Sequence, residues 1–182
     1  MTQEYLDNAK NELKKALKDH KHPFRYFTLA TMGINQTPRL RTVVLRDVDD
    51  ELKISIFTDR RSKKVTHIRE NNKVCLLFFD HFKLLQVKID AVAFPEENPK
   101  RIKKLWEQIN EEAKHDYSAA QSPGTKVTRP DKIEYLNNSN HFCVLNIEPY
   151  KIEYLQLKRP IHLRVMYSYE ESGQWSGHFM VP

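Results

Sequence analysis

LKISIFTDRRSKKVTHIRE, residues 52–70, sets the fold and poses its main question. Leu52, Ile54, Ile56 and Thr58 alternate with Lys53, Ser55 and Phe57, the period of two that marks a strand. Val65 and Ile68 then stand three apart and the chain runs on to the turn pair Asn71-Asn72, so a short helix follows. Between strand and helix lie Arg60, Arg61, Lys63 and Lys64, interrupted only by Ser62. These cations stand at a helix start, where the backbone dipole is positive and each positive charge costs roughly 0.3 kcal/mol or more. An anion held there would turn the clash into a favourable pairing.

Outward from this stretch the chain alternates strands with hairpin-length links. Upstream, Thr2 is placed to cap a helix running to about His20, with Tyr5, Leu6, Ala9, Leu13 and Leu17 on one apolar stripe, and His22-Pro23 ends it. FRYFTLATM (24–32) and RLRTVVLRDV (39–48) form a hairpin across GINQTP. Downstream, VCLLFF (74–79) and LLQVKIDAVAF (84–94) flank the tight link at residues 80–83. A helix over 98–110 puts Ile102, Leu105, Trp106 and Ile109 on one face, and a polar loop with Pro123, Gly124 and Pro130 follows. FCVLNIE, KIEYLQL, HLRVMYSYE and QWSGHFMVP read as four antiparallel strands, separated by Pro149 and by the Glu-Glu-Ser-Gly turn. The expected fold is mainly β with some α: a split antiparallel β-barrel with peripheral helices. One domain over residues 1–182 accommodates it, as an N-terminal helix (1–21), a barrel core (22–95), a helical insertion and loop (96–131) and C-terminal strands (132–182).

Composition removes several functional classes. Only four glycines occur, and neither a Walker nor a dinucleotide glycine pattern is present. Cys75 and Cys143 lie in apolar runs and read as buried free thiols of a reducing, cytoplasmic compartment. The charged N-terminus is not a signal peptide, and the longest apolar run is far too short for a membrane span. A net charge of +6 invites nucleic acid, but the cations are spread among 24 acidic residues without a nucleic-acid-binding motif. The histidines show no metal-ligand spacing, so no metal site is expected.

Three features remain as chemistry. At the strand-to-helix junction the free N–H groups of the first turn point outward, Ser62 stands at the cap, and Lys64 supplies a point charge, together suiting a phosphate. RTVVLR (41–46) carries an arginine at each end of an apolar strand core. Arg41 and Arg46 either snorkel from strand ends or meet one ligand, and because residues five apart point to opposite faces, the second reading needs a bulge or a strand end. Gln86, an amide inside LLQVKI, either faces solvent or meets the edge of a heteroaromatic ring.

The order RTVVLR, FTDRRSKK, an LLQV strand and then Gln121-Ser122 resembles the flavin-binding split barrels related to pyridoxamine 5′-phosphate oxidase. EPYKIEYLQLKRPIHLRVMY, Trp175 and the closing Val-Pro are similar to that family's ending, and HPFRYFTLATMGINQTPRLRTVVLR with Ser-Pro-Gly at 122–124 resembles a shorter oxidase-like subgroup. The likeness covers roughly residues 22–182. It implies a homodimer with FMN at the interface. Arg41 and Lys64 would hold the phosphate, aided by Ser62 and Lys63, while Val43 and Arg46 belong to the element beside the flavin. Phe57 and Thr58 match the family's Tyr-Thr pair, and Gln86, Gln121 and Ser122 match flavin contacts, Gln86 from the partner subunit. Arg164 matches an arginine near the flavin ring, and His162 a substrate-side group.

The likeness breaks at specific places. Leu155 stands where the family has a tryptophan that walls the flavin, Pro160 replaces an arginine that holds the pyridoxal substrate, and Leu163 replaces an aspartate. Loss of that arginine leaves FMN binding untouched and counts against vitamin B6 oxidation. The implied function is an FMN-dependent oxidoreductase of the oxidase type on an unidentified small substrate, with no catalytic side chain assigned, because the flavin carries the chemistry. A non-catalytic flavin carrier or sensor and a haem-handling split barrel are the alternatives. Neither nucleic acid nor membrane is an expected partner.

Overall fold

The strand expected over residues 39–48 divides in two, and that division closes the barrel. In the computed structural model, which describes residues 1–137 and 139–182, β1 (Tyr26–Met32) pairs antiparallel with β2 (Pro38–Val44). The chain then bends at Leu45-Arg46, and β3 (Asp47–Val48) pairs with β4 (Ile54–Asp59). The Arg46 N–H donates to the Ser55 carbonyl at 3.1 Å, so one continuous segment binds β1 at one end and β4 at the other.

β5 (Lys73–Asp80), β6 (Leu85–Pro95) and β7 (Phe142–Gln156) complete the order β2-β1-β5-β6-β7-β4-β3, and β8 (Leu163–Tyr169) and β9 (Trp175–Phe179) continue from β7. The result is a curled antiparallel half-barrel sheet with a few helices, the split barrel expected. FCVLNIE and KIEYLQL are one strand of 15 residues, contrary to the expected break at Pro149. β7 gives one edge to β4 as far as Ile147 and the same edge to β8 from Lys151, while β6 shifts register between Asp90 and Ala91 opposite it. Pro149 lies in the gap where neither β4 nor β8 is paired, so its missing N–H costs no ladder bond on that edge.

The helices differ from expectation mainly at their ends. α1 (Gln3–Lys18) stops two residues before His20, and Thr2 makes no side-chain cap; its carbonyl instead accepts the Tyr167 hydroxyl at 2.6 Å. The strand at residues 24–32 starts only at Tyr26, because Pro23–Arg25 forms a single 3₁₀ turn. Leu52 takes φ 66° in the β3–β4 turn, so β4 begins at Ile54 rather than Leu52. α2 (Lys63–Glu70) follows β4 directly. The helix expected over 98–110 is α3 (Pro99–Glu107), capped by Asn98, followed by the separate short α4 (Glu111–Lys114), capped by Asn110.

Two apolar clusters hold these elements. The barrel interior takes Phe27, Leu29, Ile54, Ile56, Leu76, Phe78, Val87, Ile89, Ile152 and Tyr154, and α1 closes one end with Leu6, Ala9, Leu13 and Ala16. Burying each of the leucines contributes roughly 1.5–3 kcal/mol. Outside the barrel, Phe57, Ile102, Leu105, Trp106 and Ile109 pack on Tyr117, Phe142 and Val144. α3 therefore sits over the outer side of β4 and β7, one wall of the candidate site. Among the described residues no helix is long and apolar enough to cross a membrane.

Candidate functional site

Arg41 and Lys64 meet where β2 passes the start of α2. Arg41 lies on the β2 face that looks toward the barrel, paired in register with Leu29. Its Nη1 donates to the Leu29 carbonyl at 3.1 Å and to Thr31 Oγ1 at 2.8 Å. Thr31 Oγ1 is in turn 3.1 Å from His67 Nδ1, so a buried threonine and a buried histidine on α2 hold the guanidinium. Lys64 Nζ donates to Thr58 Oγ1 at 2.8 Å, and Thr58 Oγ1 lies 3.3 Å from Ser62 Oγ.

The electrostatics of this pair are unbalanced. Burial lowers the Lys64 pKa, the Arg41 charge lowers it further, and Asp59 only partly opposes them. Burial likewise lowers Arg41, and burial with the charges of Arg41, Arg39 and Lys63 keeps His67 below the ordinary histidine value. Neither Arg41 nor Lys64 has a carboxylate within ion-pair distance among the described residues. Ser62 occupies the N-cap position of α2, but its side chain makes no cap bond, contrary to its expected use there. The Val65 N–H donates to the Ser62 carbonyl at 2.9 Å, and the N–H groups of Lys63 and Lys64 are left without a side-chain cap. Two half-buried cations, two hydroxyls and an uncapped helix start form a cradle for a tetrahedral dianion.

A second cavity, of about 470 Å³, opens beyond the bend at Leu45-Arg46. Its walls include Arg46, Phe57 and Ser55 of the barrel, Arg25 and Leu17 behind them, and Leu105 and Ile109 of the α3 region. The Arg46 guanidinium lies over the Phe57 ring at 5.5 Å, while its Nε is buried without a hydrogen-bond partner. Arg25 is only 8% exposed; burial and then the neighbouring Arg46 charge lower its pKa. The bend answers the opposite-face problem of RTVVLR: Arg41 faces Lys63 and His67 from β2, and Arg46, past the strand end, faces this cavity.

The remaining sequence-derived residues fall in several places. Val43 is buried beside Arg41 on the inward face of β2, and Lys63 lines an open groove with Arg39, Arg41 and His67. Gln121 and Ser122 lie on the loop that Arg61 grips; Gln121 Oε1 is buried without a partner, and Ser122 Oγ is 3.1 Å from Thr125 Oγ1. Gln86 is half-buried on the outer face of β6, between Phe79 and Leu155. β6 stands three strand spacings from β2, roughly 14 Å, so this chain does not bring its own Gln86 to Arg41. Arg164 donates to Glu153 at 2.9 Å across β7–β8, and His162 stands exposed one residue before β8. Sequence reasoning passed over Arg25, Thr31, His67 and the Asp59–Arg61 pair. His67 had a signal: it lies four residues after Lys63, on the same helix face.

Comparison with known proteins follows the same lines. Residues 7–94, which span α1 to β6, match the family model for the pyridoxamine 5′-phosphate oxidase FMN-binding domain. A pyridoxine/pyridoxamine 5′-phosphate oxidase of Aliarcobacter butzleri is 29% identical over 168 residues, 86% of this chain and 79% of that protein. The pyridoxine/pyridoxamine 5′-phosphate oxidase 2 of Arabidopsis thaliana is 28% identical over 147 residues, 73% of this chain and 74% of that one. In fold, a pyridoxamine 5′-phosphate oxidase-related, FMN-binding protein of Nostoc punctiforme superposes with a TM-score of 0.78 at 19% identity, covering 96% of each chain. Motif order, family match and fold agree on a pyridoxamine 5′-phosphate oxidase-like FMN-binding split barrel, and FMN is the cofactor that the matched domain takes.

Proposed function

We propose that the FMN phosphate is held between Arg41, Lys64 and the open first turn of α2, and that the protein is an oxidoreductase acting on a small anionic substrate near Arg46 and Arg25. The observation that carries this reading is the convergence of Arg41 and Lys64 without a carboxylate among the described residues. A dianionic phosphate supplies what both lack, and each charge-assisted hydrogen bond contributes roughly 1.5–3 kcal/mol.

The flavin ring, when bound, supplies the electron chemistry. The protein's part is orientation. Thr31 and His67 aim Arg41, Phe57 and Leu105 give an apolar wall to the second cavity, and Arg46 sets a positive charge there. Arg25 and Arg46 side by side, with Arg46 Nε unpartnered, favour a substrate with a carboxylate or phosphate. The named relatives, both oxidases of phosphorylated vitamers, agree with that charge. Leu155 and Pro160 turn the choice away from pyridoxal-type rings toward another small acid.

A homodimer completes the reading. Tyr26, Leu40, Leu77 and Phe79 expose apolar surface on the outer face of β2, β1 and β5, with Phe82 81% exposed in the adjoining turn. A second copy covering this face would bury it and bring a Gln86 amide to each flavin. Leu155, beside Gln86 where an aromatic wall is missing, favours a flavin carrier without turnover as the second reading.

The test is the visible spectrum of the purified protein with FMN titrations of the parent, Lys64→Ala and Arg41→Ala. A two-banded flavin spectrum is expected, with affinity about 10–100-fold lower in each variant. A parent that takes up no FMN, or one that shows a haem band instead, refutes the reading. Reduction of bound flavin by no donor tried decides for the carrier.

A further inference from the structure

The four-cation run does two separate jobs. Lys64 turns to the cradle, but Arg61 turns away from it toward the loop that carries Gln121 and Ser122. Arg61 Nη1 donates to the Ala120 carbonyl at 2.8 Å, and Nη2 donates to the carbonyls of Ala119 at 2.7 Å and Gln121 at 3.1 Å. Its other edge is forked onto Asp59, with Nε at 3.1 Å from Oδ1 and Nη2 at 2.8 Å from Oδ2. Asp59 is 6% exposed and also accepts the Arg61 backbone N–H at 2.7 Å. Burial would raise the Asp59 carboxyl, but its bonds to Arg61 win and hold it below the ordinary value.

The rest of the loop is tied to the same corner. The Arg60 N–H donates to the His141 carbonyl at 2.7 Å and Arg60 Nη2 to the Asn140 carbonyl at 2.6 Å. Within the loop, Leu136 N–H donates to Ser118 and His141 N–H to Tyr117, closing its base. The result is a loop held at 119–121 and at 140–141 by adjacent arginines at the end of β4. Three carbonyls in a row on one planar guanidinium set the backbone path at residues 119–121. That path leaves the Gln121 side-chain oxygen buried and unpartnered.

We infer that Asp59 and Arg61 are a latch: positioning residues that present the Gln121–Ser122 loop to the ligand held by Lys64 and Arg41. They contact no ligand themselves. The latch fixes the loop, and the loop offers the ligand an amide acceptor and a hydroxyl, suited to the hydroxyl-rich linker between phosphate and ring. A lysine cannot replace Arg61, because one ammonium cannot bridge a carboxylate and three carbonyls at once. The inference rests on the proposed FMN site.

Hydrogen–deuterium exchange of the flavin-free protein and FMN titration of the same samples test it. In Arg61→Ala, and to a smaller degree in Arg61→Lys, exchange in residues 118–126 is expected to rise while β4 and β7 keep the parent pattern. FMN affinity is expected to fall at least tenfold. Gln121→Ala alone should weaken FMN, and adding it to Arg61→Ala should weaken it little further, because both remove one contact. If Arg61→Ala loses its cooperative unfolding transition, Asp59→Asn with Arg61→Gln, which keeps neutral hydrogen-bonding side chains, carries the same readouts. Unchanged exchange at 118–126 overturns the latch, and so does raised exchange with unchanged FMN affinity. A parent that binds no FMN overturns the functional reading, and the latch's role in cofactor binding falls with it. A parent that binds FMN and a variant that binds it equally well overturn the latch alone.

Discussion

Glu12 offers a test of how α1 is held against the barrel. It lies on the buried face of α1, 4% exposed, among apolar neighbours. Oε1 accepts from Lys15 at 2.8 Å, Oε2 is 3.1 Å from His22 Nε2, and Lys83 reaches Oε2 from the β5–β6 turn. Burial alone would raise its pKa; Lys15, Lys83 and His22 together overcome burial and hold it at about 2. From the ordinary 4.5 to about 2 is close to 2.5 units, nominally about 3.4 kcal/mol. Lys15 and Lys83 are 61% and 45% exposed, so screening by water brings the expectation down to about 2 kcal/mol. The folded-state pKa lies below the unfolded one, so this stability is present above about pH 4.5 and is lost as pH falls toward 2. Glu12→Gln, which keeps shape and one acceptor, should therefore lower stability by about 2 kcal/mol at pH 7, or roughly 4–8 °C in Tm. The gap between parent and variant should close as pH falls from 5 to 2. Urea unfolding at a series of pH values measures it, and a gap that stays constant over that range refutes the charge argument and leaves only packing. The consequence reaches the second cavity, because Ala16 on α1 accepts from Arg25 Nη1 at 3.5 Å and Leu17 lines the cavity wall.

Two further predictions bear on the site. Arg25→Gln should weaken inorganic phosphate, titrated into FMN-loaded protein and read as a flavin difference spectrum, by about tenfold while leaving FMN affinity unchanged, since one charged hydrogen bond of about 1.5 kcal/mol is lost; equal phosphate binding would exclude Arg25 from an anion subsite. Phe79→Asp, a charge placed in the exposed apolar face of β5, should convert a dimer to monomer in sedimentation and lower FMN affinity with it, whereas an unchanged mass would move the interface elsewhere.

Alternation made the strands legible, and the two places where strands were divided or joined wrongly share one cause. Val43 and Leu45 are buried two apart and Val48 three further on; in β7, Leu145 and Ile147 lead through Pro149 to Ile152. A step of three among steps of two means that one extra residue has entered the strand, which bends it or lets it change neighbours. At Leu45-Arg46 the slip carries the chain from β1 to β4; at Pro149-Tyr150 it passes an edge from β4 to β8. Both slips were in the letters, but a window that accepts any apolar run as one strand, or any proline as a break, does not see them.

The division of the cations was less accessible, because it depends on direction and residue type does not encode direction. Arg60, Arg61, Lys63 and Lys64 look alike as a run. The helix begins at Lys63, so side chains on either side of Ser62 leave a backbone that changes from extended to helical between them. Arg60 and Arg61, at the end of the strand, point to the carbonyls of the 118–141 loop, and Arg61 finds its carboxylate in Asp59. Only Lys63 and Lys64 lie in the first turn, where the dipole repels them. The clash is thus half the size that the run suggests, and it falls on the residues that face Arg41 across the cradle. The two chemistries follow the two residue types. The forked guanidinium of Arg61 binds fixed carbonyls and a carboxylate, and the compact ammonium of Lys64 is left with a hydroxyl partner and no carboxylate among the described residues. Exchanging the two, as Arg61→Lys with Lys64→Arg, should fail on both sides. A single ammonium after Asp59 could not span three carbonyls and that carboxylate, and a guanidinium at the start of α2 would have to fit a larger planar group into the space beside Thr58 and Ser62.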